Sequence, residues 1–169
     1  MFLTFAFAVM LAGQTREHPQ VTYDKFEDLT AIQAMLRPRE SPNKQFIVLA
    51  LSAQHGGKAP RSFSDDAVVG FTVATFGTEQ RYQEHHEVKM MCGDEHIPLF
   101  AASSSYDCKK GENCIEFLHV AMSLATMKKF LDRPDPWEVR LGIEKPFPLS
   151  QSERAWMAEF VEFLTNGKG

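Results

Sequence analysis

From Trp137 to Glu144 the chain alternates: Trp137, Val139, Leu141 and Ile143 are apolar, and Glu138, Arg140, Gly142 and Glu144 lie between them. Successive side chains of a strand point to opposite faces, so this period of two calls for an extended strand with one buried face. The same period recurs at Val69, Phe71 and Val73, set between Gly70, Thr72 and Ala74. Gln45–Ala53 (QFIVLALSA) is apolar on both faces and reads as a central strand. Cys114–Met122 (CIEFLHVAM) is a further strand, Pro146–Leu149 a short edge strand, and paired strands are expected around Tyr23–Met35.

Arg81–Met91 and His96–Ser103 flank Cys92-Gly93-Asp94-Glu95, where a two-residue Gly-Asp loop makes an antiparallel hairpin. With Cys92 opposite Glu95, Met90 faces Ile97, Val88 faces Leu99 and His86 faces Ala101. This register gathers apolar residues on one face.

Helical spacing enters late. Leu124, Met127, Phe130 and Leu131 follow Ser123 as an N-cap, and Arg133-Pro134-Asp135-Pro136 ends that helix. Ser150-Gln151-Ser152-Glu153 has capping-box spacing, with Trp156, Phe160, Phe163 and Leu164 on one face and Asn166-Gly167 as the stop. Arg37–Lys44 and Gly56–Asp66 have the Pro, Gly, Ser and charge density of loops, and there is no internal repeat. The expected fold is α+β: an antiparallel, bent sheet or incomplete sandwich of about six to eight strands, with two helices late in the chain.

At 169 residues, 44% hydrophobic and 11% aromatic, the chain suits one domain with a sizeable core. Its 18 Lys and Arg against 22 Asp and Glu give a net charge of −4, with basic residues scattered singly. That distribution lacks the positive stripe needed to neutralise several phosphates, which argues against a nucleic-acid partner.

Met1–Ala12 (MFLTFAFAVMLA) is apolar apart from Thr4 and is followed at once by the polar run Gln14–His18. This is the outline of a signal-peptide hydrophobic region, too short for an ordinary membrane helix. No Lys or Arg precedes it, and Gln14 stands where a lipid-anchored protein has Cys. A buried N-terminal strand or helix is the alternative. The chain therefore divides into a signal peptide over residues 1–13 and a single α+β domain over residues 14–169, with no transmembrane segment in the mature part.

Of three cysteines, Cys108 and Cys114 flank the polar, Gly-containing stretch Lys109–Asn113, a turn that a disulfide closes in an oxidising compartment and that otherwise holds two reduced thiols. Cys92 is left as a free, unreactive thiol.

The densest polar cluster is Glu84-His85-His86-Glu87, with His96 nearby. In a regular strand His85 and His86 point to opposite faces, and His96 falls about 20 Å from His85, so they do not form a zinc set. His86-Glu87-Val88-Lys89-Met90 begins like His-Glu-x-x-His but has Met90 in place of the second His, and a strand pattern in place of a helix. Ser103-Ser104-Ser105 with Asp107 lacks a Gly-x-Ser-x-Gly elbow and a base. Gly56-Gly57-Lys58 lacks the glycine spacing of a phosphate loop, and Ala59 follows Lys58 where Ser or Thr is required. His119 sits among Phe117 and Ala121 as a hydrogen-bonded core or boundary residue. No catalytic, cofactor or metal set is predicted.

The order of elements, from the strands around Tyr23–Met35 through Phe46–Ala53, the Cys92–Glu95 turn, a helix, Trp137–Ile143, Phe147–Leu149 and a capped helix, resembles a large group of bacterial exported α+β proteins with no assigned activity. The resemblance spans Val21–Leu164, leaves out Cys108 and Cys114, and implies no site residue. The expected function is an exported, non-catalytic binding or structural module of the bacterial cell envelope. Its partner would be an envelope protein or other envelope component, met through a sheet face or an uncovered edge. The competing classes are an enzyme assembled from distant residues, with His85, Glu87 and His55 as first suspects, and a carrier of small apolar ligands.

Overall fold

The computed structural model describes residues 16–40, 46–77, 81–82, 84–108 and 114–167. The expected leader, Met1–Gly13, lies outside these residues, as does the loop between Cys108 and Cys114.

The described residues fold mostly into antiparallel sheet, with two helices late in the chain. β1 (Arg16–Asp24) and β2 (Leu29–Met35) form a hairpin. Asp24 helps reverse it, because its carboxylate accepts from the amides of Phe26 (2.8 Å) and Glu27 (3.4 Å), and Asp28 takes a left-handed φ of 49° to complete the turn. β3 (Arg39–Glu40) pairs with the start of β4 (Phe46–Gly56), and β4 with β5 (Val68–Gly77). The Arg37–Lys44 stretch, expected to be loop throughout, thus contributes a two-residue strand.

β6 (Val88–Cys92) and β7 (Glu95–His96) form a short hairpin, and β8 (Phe100–Cys108) pairs with β9 (Cys114–Ser123). After α1 (Leu124–Leu131) come β10 (Trp137–Leu141), β11 (Phe147–Leu149) and α2 (Gln151–Thr165). Ser123 caps α1 by accepting from the Thr126 amide, and the Ser150–Glu153 box caps α2 from both sides.

The strands make two sheets. A seven-stranded sheet runs β1-β2-β4-β5-β9-β8, with β3 beside β4, and a four-stranded sheet runs β11-β10-β6-β7. Together they exceed the expected six to eight strands. Ile47, Leu49 and Leu51 of β4, Val69, Phe71 and Val73 of β5, and Leu118, Val120 and Met122 of β9 share one core with Val88, Met90, Trp137, Val139 and Phe147 of the small sheet and with Phe130, Met157 and Phe160 of the helices.

The expected long hairpin is corrected. Its register holds at the turn, where Cys92 faces Glu95 and the Ile97 amide donates to the Met90 carbonyl at 2.9 Å. It ends there because Pro98 has no amide to continue a ladder. The chain then crosses to the large sheet as β8, so Leu99 and Ala101 do not face Val88 and His86. The partner of Val88 is Leu141 on β10. Arg81 and Tyr82 are not strand either, since their amides donate to the Glu116 carboxylate at 2.8 and 2.9 Å, nor are residues 84–87. At the end of β10, Gly142 has φ +52°, and a Cβ there would stand 2.5 Å from the His85 carbonyl oxygen. Only glycine fits that approach, and Ile143 beyond it is exposed instead of continuing the strand.

Candidate binding face

A sheet strand that is apolar at every position has a second face to account for. On β4, β5 and β9 the residues alternating with the main core point the other way, and the register brings them together in rows. Phe46 faces Phe76 and Phe76 faces Ile115; Val48 faces Ala74 and Ala74 faces Phe117; Ala50 faces Thr72 and Thr72 faces His119; Ser52 faces Gly70 and Gly70 faces Ala121. Val48, Ala74 and Phe117 form a small buried cluster of their own, with Met35, Phe76 and Ile115 packed against it. Phe46, beside this cluster, is 57% exposed, and at the far end of the face Val68 and Phe100 are exposed at 45 and 46%. Large side chains occupy one end of the face and small ones the other. Gly70 is part of the small end, because a Cβ there would lie 2.6 Å from the Ser52 hydroxyl.

His119 sits within this face. Its Nδ1 lies 2.8 Å from the Thr72 hydroxyl, its ring stacks on Phe117 at 6.3 Å between centroids, and burial pushes its pKa down to about 4. At neutral pH the imidazole is therefore uncharged, and it adds no charge to a face on which apolar side chains are mixed with Ser52, Thr72, Ser103 and Ser105.

The other sequence candidates are spread over the molecule. His85 and His86 are exposed in irregular chain, so the alternation argument that separated them does not apply; His85 instead backs onto Gly142. Exposed Glu87 pairs with Lys89 at 2.9 Å, and that contact lowers its pKa. His55 stands at the end of β4, edge-on to Phe63 with ring centroids 5.5 Å apart. Among the described residues no group of three or more His, Cys, Asp or Glu side chains is placed to hold a metal ion. Ser103–Ser105 lie exposed in β8. The Gly56–Lys58 loop spends its polar groups internally: the Gly57 amide donates to the Asp28 carbonyl at 2.7 Å, and the Gly56 and Gly57 carbonyls accept from Arg61 and Thr30, each at 2.6 Å.

Cys92 is free and buried, with its thiol pKa raised by desolvation, so little of it is the reactive thiolate. Cys108 and Cys114 face one another at the last pair of the β8–β9 ladder.

Two residues with structural roles escaped the sequence reading. Glu116, which looks like an outward-facing charge in a strand, is buried and holds the 81–82 segment. Arg39 lies 2.5 Å from Glu153, stacks over the Phe147 ring and donates to the Pro148 carbonyl.

No family model matches this chain, no curated protein matches it, and no solved structure matches it. What it does is therefore read from its own surfaces.

Proposed function

We propose that the chain is an exported, non-catalytic binding module of the bacterial cell envelope that receives an apolar surface of an envelope protein on the outer face of the seven-stranded sheet. The observation that carries this is apolar side chains left exposed at both ends of one sheet face, Phe46 beside the buried Val48–Ala74–Phe117 cluster and Val68 and Phe100 at the far end, each nearly half exposed or more. Apolar surface gathered on one face is a signature of an interaction site, whereas single exposed apolar residues are ordinary. Two sheets sharing one core support reading the fold as an incomplete sandwich, with this face on its outside. The uncharged Met1–Ala12 supports export.

The test is binding of a hydrophobic dye, anilinonaphthalene sulfonate, to the folded chain. Replacing Phe46, Val68 and Phe100 together with Ser is expected to remove most of the bound dye while leaving the circular dichroism spectrum unchanged. Undiminished dye binding would overturn the assignment of the face. For the address, intact mass of protein from the native host is expected to show loss of a segment ending near Ala12–Thr15.

A further inference from the structure

We infer that β8 is a self-association edge, through which two copies of this chain pair antiparallel with Ser104 on the two-fold axis.

β8 is the last strand of the large sheet, and no described strand lies beyond it. Its inner-side neighbour is β9, so the main-chain amides and carbonyls of its other edge point away from the sheet. From Phe100 to Asp107 every residue is exposed, on both faces, so β8 overhangs the core, and among the described residues β9 alone pairs with it. Edges of this length are ordinarily blunted by Lys, Pro, a bulge or an inward charge. Here the single charge, Asp107, and the single irregularity, between Phe100 and Ser103 with Ala101 at φ 52°, sit toward the two ends. The stretch Ser103–Tyr106 carries no such device.

What pairs with an open edge is an extended backbone, and the side chains suit a second copy. Ser104 is the midpoint of Phe100–Cys108. An antiparallel pair centred on it sets Ser104 against Ser104 and Ser103 against Ser105, with Tyr106 and Asp107 running toward the irregular Ala101–Ala102 end of the other copy. No like charges meet, and the two Asp107 carboxylates stand about 20 Å apart along the strands. Such an arrangement is isologous and closes after two copies, as stable homodimers do. It also continues the outer sheet face from one protomer to the next, and it stands whether or not that face binds a partner.

Sedimentation of the full chain across a concentration range is expected to show a monomer–dimer equilibrium. Ser104→Cys places two thiols on directly opposed residues, about 4.5–5.5 Å apart at Cα and within bridging range. Mild oxidation should therefore link the Ser104→Cys chains covalently. Tyr106→Cys chains, whose thiols are offset by about 14 Å in this register, should link no more than the unsubstituted protein does. Ser104→Lys opposes two like charges and should weaken association about two- to fivefold. A strictly monomeric chain at its highest soluble concentration would overturn the proposal. So would a dimer in which Ser104→Cys links no better than Tyr106→Cys, or one that Ser104→Lys leaves equally tight.

Discussion

Glu116 shows how one buried carboxylate can decide the course of a segment. With its two oxygens accepting from consecutive amides, it stops Arg81 and Tyr82 from joining a sheet and turns Tyr82 into the core. Glu116→Ala leaves both amides without this acceptor and is expected to cost about 2–4 kcal/mol in urea unfolding, with Glu116→Gln in between because it keeps one acceptor. His119 makes a prediction of a different kind. Its folded pKa of about 4 lies below the ordinary 6.5, so between these values the unfolded chain binds a proton that the folded chain does not. Stability is complete above pH 6.5 in this respect and falls as the pH drops toward 4, by up to about 3 kcal/mol. In His119→Gln this part of the acid loss should vanish. A variant whose stability falls with pH as steeply as the unsubstituted protein's would show that His119 is not its source.

At the scale of elements, what could be read from the sequence was whatever depended on local chemistry. The alternation at Trp137–Leu141, the Ser123 cap, the Ser150–Glu153 box and the Gly93–Asp94 turn all appear in the structure. What could not be read was where a strand goes after its turn. The apolar pattern of Leu99–Ala101 fits either sheet, and only tertiary competition at Pro98 sends it to β9. Arg39 and Glu116 were equally hidden, since a charge becomes structural through partners more than thirty residues away. The second face was implied by Phe46–Leu51 being apolar on both sides, but its rows depend on the long-range β5–β9 register. The β8–β9 register places Cys108 opposite Cys114, the position from which a short-loop disulfide is geometrically natural. Alkylation in denaturant without reduction, followed by peptide mapping, is expected to recover Cys108 joined to Cys114 and a labelled Cys92. The chain-entropy model gives such a loop about 2–3 kcal/mol.

For the molecule as a whole, one core drawn from both sheets and both helices implies one cooperative unit. Trp137 on β10 and Trp156 on α2 are both buried in it, so their fluorescence and the far-ultraviolet dichroism of the strands should lose native signal at the same urea concentration. Separated transitions would show that the small sheet and helices stand apart energetically. The threading of the chain adds a temporal aspect. β6 lies in sequence between β5 and β9, which are neighbours in the large sheet, yet its own longer partner is β10. As the chain emerges from a ribosome or a translocation pore, the large sheet can close around this excursion while Val88, Met90 and Cys92 still await Trp137–Leu141. Until β10, whose last residue Leu141 lies 49 residues beyond Cys92, has appeared, that strip of apolar surface has no permanent cover, and its protection in this interval falls to whatever holds the nascent chain.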